Sequence, residues 1–277
     1  MITSTKNPKI VEARKLTLRK HRQRQDRFLA EGLQLLALAA EVMARTERVK
    51  PLELFYCESL FTGPTAPRLL AQLTAAGATP VPVDANVMNA LSDREQSQGL
   101  AVTFALSALE WSLAEMLAAL ARRQQYRLVL VLDKLQDPGN LGTLIRTADA
   151  VGDSAIILLE PGVDPFDPKT VRGTMGSLFT VPFARAQTAA EIMPPLAALG
   201  YRLVGADGSR GESVWDSPAM TGPVGLVLGN EARGLSPELH PYLTDYVSLP
   251  LRGHAESLNV SIAGGILMYE WLRVNRR

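Results

Sequence analysis

The sequence predicts an α/β protein: a mostly parallel, doubly wound sheet with helices on both faces, preceded by a smaller α/β domain. Five short apolar runs lie between residues 128 and 250, and runs without polar alternation mark strands buried on both faces. Helical patterns separate several of them, notably Leu141 to Val151 and Ile192 to Leu199, which is the strand–helix order of a parallel sheet. The length of 277 residues leaves room for a second core upstream at about 100–200 residues per domain. With 47% hydrophobic and 21% charged residues the composition is globular, which excludes a disordered chain.

Taken in order, residues 8–24 are rich in Lys, Arg and Gln with no internal Gly or Pro and predict an exposed helix. Phe28 to Gly32 reads as a short strand and turn, Leu33 to Ala44 as a helix, Leu52 to Cys57 as a strand, and Pro67 to Ala76 as a helix. Val81 to Val83 is strand-like, Val87 to Leu91 a short helix, and Gly99 to Phe104 a closing strand, so the first domain spans residues 1–105. A linker over 106–126 carries a bridging helix from Trp111 to Arg123. The second domain, residues 127–277, has strands at Leu128–Leu132, Ala155–Leu159, Leu203–Ala206, Val224–Leu228 and Tyr246–Pro250.

Several classes of function are disfavoured by what the chain lacks. Its opening residues, Met1 to Lys9, form no apolar signal region, and no stretch reaches about 18 uncharged apolar residues, so a soluble, cytoplasmic protein is expected, with no membrane contact. The lone Cys57 sits in the apolar run Leu54–Cys57 and reads as a buried structural thiol. His21, His240 and His254 are scattered without metal-ligand spacing, so no metal is expected. No dinucleotide fingerprint, phosphate-binding P-loop or serine nucleophile elbow is present. Charge, by contrast, is unevenly placed. Residues 1–27 hold nine Lys/Arg against Glu12 and Asp26, a net +7, leaving −6 for the rest. That distribution suits contact with a phosphate backbone, although a solvated helix face has the same composition.

In parallel α/β sheets ligands collect beyond the carboxyl ends of strands, which directs attention to three segments. Asp133 to Arg146 is a polar Gly/Pro loop entering a helix; a Pro138-Gly139 turn and an Asn140 N-cap would explain its start but not Arg146. Gly229-Asn230-Glu231-Ala232-Arg233-Gly234-Leu235 has glycines at both ends, suited to tight turns or close approach to a ligand. Leu249 to Ile266 leaves a strand at Pro250, crosses a loop, and enters a terminal helix from Ser257. There Ser257 could serve only as an N-cap and Gly264-Gly265 only as a close helix contact, whereas Asn259 inside a helix needs partners for its amide.

Together the three segments resemble the motifs of the SpoU (TrmH-type) branch of the SPOUT RNA methyltransferases. The first is Asp137-Pro138-Gly139-Asn140-Leu141-Gly142 through Arg146-Thr147-Ala148, the second Leu228 to Gly234, and the third Leu249-Pro250 followed by Ser257-Leu258-Asn259-Val260-Ser261-Ile262-Ala263. Their order and spacing fit over residues 128–273, and Arg172 to Ser177 resembles a looser family element. The basic first domain is similar to the small RNA-binding α/β domain that many members carry.

This resemblance implies a C-terminal SPOUT domain with a trefoil knot, a fold that strand pattern alone would not suggest because knots are nearly absent from proteins. It implies methyl transfer from S-adenosylmethionine to a ribose 2′-hydroxyl of structured RNA, with 23S ribosomal RNA preferred, and a homodimer formed through the C-terminal domain. A tRNA 2′-O-methyltransferase and a non-catalytic RNA-binding member are the alternatives. The implied cofactor-binding residues are Leu228, Gly229, Asn230, Leu249, Pro250 and Leu258. For catalysis the resemblance points to Arg146, Asn140, Glu231, Ser257 and Asn259. A guanidinium is protonated at all ordinary pH values, so Arg146 is expected to clamp a phosphate and stabilise charge at the 2′ oxygen rather than accept a proton. Glu231 would fix its guanidinium, and Asn140, Ser257 and Asn259 would orient the hydroxyl or that side chain. RNA contacts are expected from Lys6, Lys9, Arg14, Lys15, Arg19, Lys20, Arg22, Arg24 and Arg172.

Overall fold

The structure is a computed structural model that describes residues 1–92, 96–122, 127–215 and 217–275. It divides into one unit of residues 1–110 with 164–180, and a second of residues 111–163 with 181–277.

In the first unit, helices α1 (Pro8–Arg14) and α2 (Arg19–Gln25) lead into strand β1 (Arg27–Glu31), helix α3 (Leu33–Met43) and strand β2 (Pro51–Tyr56). Then come α4 (Thr65–Ala75), β3 (Thr79–Pro82), α5 (Ala85–Leu91), β4 (Leu100–Ala105) and the single turn α6 (Leu106–Leu109). The sheet order is β1-β4-β2-β3, with β4 antiparallel to both neighbours and β2 parallel to β3. The predicted helix over residues 8–24 is instead two helices joined by a 3₁₀ turn at Lys15–Thr17, because Leu18 is extended. It is also less exposed than its composition suggests: Ile10, Ala13, Leu16 and Arg22 are buried. Cys57 is buried as expected, beside Ser59.

The second unit opens with the short β5 (Glu110–Trp111), whose Trp111 belongs to it, and α7 (Leu113–Ala121). The capping box of Ser112 and Glu115 starts that helix, and residues 123–126 of the expected linker lie outside the described residues. Then follow β6 (Leu128–Asp133), α8 (Pro138–Val151), β7 (Ser154–Leu159), and, in the segment grouped with the first unit, α9 (Pro168–Gly173). The remainder is β8 (Phe183–Ala186), α10 (Ala189–Ala198), β9 (Arg202–Ala206), β10 (Glu212–Ser213), β11 (Val224–Leu228), β12 (Asp245–Ser248) and α11 (Val260–Val274).

The larger sheet runs β10-β12-β9-β11-β6-β7-β8-β5, and the pairings from β10 through β8 are all parallel. Strands β6, β7 and β11 are buried along their whole length, as their unbroken apolar runs require. Strand order reverses at β6, which has β7 on one side and β11 on the other. Such a switch point opens a crevice at the carboxyl ends of the strands.

Three local expectations change. Asp137, not Asn140, is the N-cap of α8, accepting from the Asn140 backbone N–H at 2.9 Å, so Pro138-Gly139 is the first helical turn rather than a loop turn. Helix α11 starts at Val260, not Ser257, with Asn259 as its cap. Segment 164–180, placed by the sequence reading in the second domain, packs with the first unit. Phe166 stands 4.9 Å from Phe28 and Phe179 4.9 Å from Phe104, ring centre to ring centre, and aromatic pairs at this spacing hold their segments together beyond simple burial.

Candidate active site

The loops after β6, β11 and β12 meet at the switch point, and hydrogen bonds fix each to the next. Asp133, fully buried at the end of β6, accepts from the Ser236 backbone N–H at 2.6 Å and its hydroxyl at 3.0 Å. Asn230 donates through Nδ2 to the Lys134 carbonyl at 2.9 Å while its Oδ1 accepts from the Ala232 and Arg233 backbones. Gly229 lies against Gly234 so closely that an added Cβ would come within 2.3 Å of backbone. Only glycine permits that approach. Lys134 is ion-paired to Glu238 at 2.7 Å, and this bond raises its pKa.

Three of the expected catalytic residues form a relay. Glu231 accepts from the backbones of Gln136 and Asp137, each at 3.2 Å, and from Asn140 Nδ2 at 3.1 Å. Asn140 Oδ1 accepts in turn from Asn259 Nδ2 at 2.9 Å. Asn259 Oδ1 then accepts from the backbone and hydroxyl of Ser261, at 2.9 and 2.6 Å, and from the Ile262 backbone. Each amide has one orientation that satisfies both neighbours, since a carboxylate only accepts and a backbone N–H only donates. The relay ties the start of α8, the β11 loop and the cap of α11 into one body.

Beside the relay opens a cleft of about 680 Å³, within the range of about 300–1,000 Å³ usual for small-ligand sites. Leu228, Gly229, Asn230, Leu249 and Leu258 line it, as do Glu231, Ser257 and Asn259. Exposed Pro250 is not among the lining residues. The charges in the lining are Asp207, Glu231 and Glu256, with no Lys, Arg or His. An anionic polyphosphate is disfavoured there and a cationic ligand favoured. Burial raises the pKa of Asp207, but hydrogen bonds from the Ser209 side chain and backbone and the Arg210 backbone outweigh it and leave a net lowering. The loop Asp207-Gly208-Ser209 escaped the sequence reading, although it too follows a strand, β9.

Arg146 does not join the relay. It is exposed on α8 and makes no hydrogen bond or ion pair among the described residues, so the expected pairing with Glu231 is not formed. Glu231 is occupied by donors from the first turn of α8 and the residues before it. Along that helix, Gly264 of α11 approaches closely, its position lying 2.6 Å from a Leu144 methyl and 2.7 Å from a Leu228 methyl if given a Cβ.

Among the expected RNA contacts, Arg22 is not presented to solvent. It is 1% exposed and bonds Asp164 Oδ2 at 2.6 and 3.2 Å and the Leu16 and Thr17 carbonyls at 2.7 and 2.9 Å. Lys9 pairs with Glu53, and Lys15 and Arg24 with Glu12. Lys6, Arg14, Arg19, Lys20 and Arg24 are exposed, and Arg172 is half-buried. No group of three or more His, Cys, Asp or Glu suited to a metal occurs among the described residues.

Comparison with known proteins matches this architecture over nearly the whole chain. The model of the SpoU rRNA Methylase family matches residues 127–269, and that of an MRM3-like substrate binding domain matches residues 7–102. The 23S rRNA (guanosine(2553)-2′-O)-methyltransferase RlmP of Bacillus subtilis is 30% identical over 273 residues, 97% of each chain. The AdoMet-bound rRNA methyltransferase of Sinorhizobium meliloti superposes with a TM-score of 0.84 at 33% identity, covering 98% of this chain and 97% of that one. The SpoU methyltransferase AviRb of Streptomyces viridochromogenes, in complex with AdoMet, gives 0.82 at 26% identity, covering 96% and 98%. With its three loops joined as described and the family model spanning all of them, the chain belongs to the SpoU rRNA methylase family.

Proposed function

We propose that this protein is an S-adenosylmethionine-dependent methyltransferase acting on a ribose 2′-hydroxyl of 23S ribosomal RNA, in the cytoplasm. The observation that carries the reading is the Glu231–Asn140–Asn259 relay at the edge of the acid-lined cleft. The cleft fits the cofactor: three carboxylates complement its positive charge, Leu228, Leu249 and Leu258 offer apolar contact to the adenosyl part, and Gly229 lets backbone approach closely. When bound, S-adenosylmethionine supplies an electrophilic methyl group.

The chain's own residues have separate tasks. Glu231 holds Asn140, Asn140 holds Asn259, and Asn259 and Ser257 face the cleft to orient the incoming hydroxyl. Arg146 clamps an RNA phosphate and stabilises negative charge developing at the 2′ oxygen, while the proton leaves to that phosphate or to water.

Arg146 stands apart from the relay of its own chain, which favours a homodimer in which it serves the partner's cleft. The face of α11 carrying Ile262, Gly265, Ile266 and Tyr269 supports this reading: Ile262 and Tyr269 are 54% and 50% exposed, as is nearby Trp215 at 51%. Apolar surface of this kind marks interfaces. The trefoil knot is part of the same proposal, supported by the crossing from β11 past β9 to β12 and the return of α11 onto α8.

The test is incubation with methyl-labelled S-adenosylmethionine and separate pools of unmodified 23S rRNA and tRNA, followed by nucleoside analysis. Label in a 2′-O-methyl nucleoside of 23S rRNA is expected. Label confined to tRNA would select the tRNA alternative, and cofactor binding without transfer to either pool would select a non-catalytic RNA-binding member.

A further inference from the structure

We propose that a cavity of about 450 Å³ within the first unit holds one unstacked nucleotide of an RNA chain, base inward and phosphate at the rim. The RNA reading above supplies the source of that nucleotide; the cavity itself is read from its own walls. Its floor is apolar, made by Leu16, Leu91, Phe166 and Val171, each at most 6% exposed. Its rim carries Arg14, Lys15 and Arg172. Arg14 is exposed and makes no side-chain hydrogen bond or ion pair among the described residues, whereas Lys9, Lys15, Arg24 and Arg27 have carboxylate partners and Arg22 is buried. Glu31 lies in the wall and repels phosphate from the interior.

Apolar depth, a cationic rim and an inner carboxylate suit a base within and a phosphate outside. Protein recognition of RNA commonly inserts unstacked bases into such pockets while cations hold the backbone. An anionic lipid or acidic peptide would meet the same rim cations, but Glu31 in the wall and an apolar depth sized for one base favour a nucleotide; seven of the fifteen lining residues come from residues 1–27, net +7. The substrate-binding family match covers that part of the lining as well. Residues 166–172 complete the wall, so this site could not be found from the N-terminal sequence by itself.

The test uses the full chain saturated with S-adenosylmethionine and equilibrium dialysis against labelled AMP, GMP, CMP and UMP in turn. At least one nucleotide should bind with a stoichiometry of one per chain. Ala90→Trp, which fills the cavity from a half-buried lining position, should abolish that binding and weaken RNA binding about tenfold with the salt slope unchanged. Leu18→Glu adds a carboxylate at the 53% exposed lip without touching the core and should weaken both at low salt, so misfolding of the first variant cannot decide the matter. Arg14→Ala should lower the RNA salt slope by about 0.7, one single-strand phosphate contact. Failure of all four nucleotides to bind, or unchanged nucleotide and RNA affinity in both Ala90→Trp and Leu18→Glu, would overturn the proposal. Nucleotide binding that survives while ribosomal RNA is not methylated would overturn the functional reading and leave the cavity's assignment standing.

Discussion

Asn140 shows how a single amide can be fully specified by its neighbours. With Glu231 accepting from its Nδ2 and Asn259 donating to its Oδ1, Asn140→Asp would set two carboxylates against each other and should reduce methyl transfer at least tenfold. Such a mismatch costs about 1–3 kcal/mol, which thermal unfolding would detect. Arg146→Ala should abolish transfer with cofactor binding retained, and Arg146→Lys should fail also if planar, bidentate contact is required. All three relay residues are legible in the sequence, but within one chain Glu231 takes its donors from Gln136, Asp137 and Asn140 rather than from Arg146, because loop hydrogen bonds depend on where the β11 loop lands. The sequence also places Arg22 with the surface cations, since charge alone does not reveal an acid 142 residues away at Asp164. Arg22→Ala should destabilise the first unit by about 3–5 kcal/mol by stranding that buried carboxylate. His21 offers a pH readout: burial, then the charges of Arg24, Lys20 and Lys15, lower its pKa. The folded state then binds the proton less well than the unfolded chain, so stability should fall as pH drops below the ordinary histidine value. NMR titration should find the His21 midpoint depressed, and Arg24→Gln should move it upward.

At the scale of elements, the strands were the most legible because burial on both faces leaves an unbroken apolar run. The four-residue β8, with Arg185 inside it, and the two-residue β5 and β10 gave no such pattern. Helix starts were misplaced by about three residues where capping side chains compete: Asp137 and Asn140 are both good caps, and only the bond to the Asn140 backbone distinguishes them. Gly264 lies where α11 meets α8 and β11. Gly264→Ala would push a methyl to 2.6 Å from Leu144 and 2.7 Å from Leu228, and overpacking of this kind costs about 1–3 kcal/mol. Calorimetry should show the loss, whereas Gly265→Ala, whose nearest neighbour is Thr147 at 3.8 Å, should be tolerated.

For the whole molecule, charge asymmetry was visible in the sequence, but the fraction available to RNA was not, because ion pairs and burial engage several of the cations. Of the nine, Lys6, Arg14 and Lys20 are exposed and have no carboxylate partner among the described residues. Replacing all three by Ala should reduce the salt slope of RNA binding by about 2, at about 0.7 per single-strand contact, with cofactor affinity unchanged. Removing residues 1–27 outright would be a poorer test, since Ile10, Ala13 and Leu16 belong to the buried interior. The first unit also draws on residues 164–180, which has a consequence for synthesis on the ribosome. Although the unit begins at the N-terminus, it cannot close when residue 110 emerges. Phe28 and Phe104 must wait for Phe166 and Phe179, by which time β6, α8 and β7 have already left the exit tunnel. The two halves of this protein therefore finish folding in overlapping intervals, and neither can be cut out of the gene as one uninterrupted stretch.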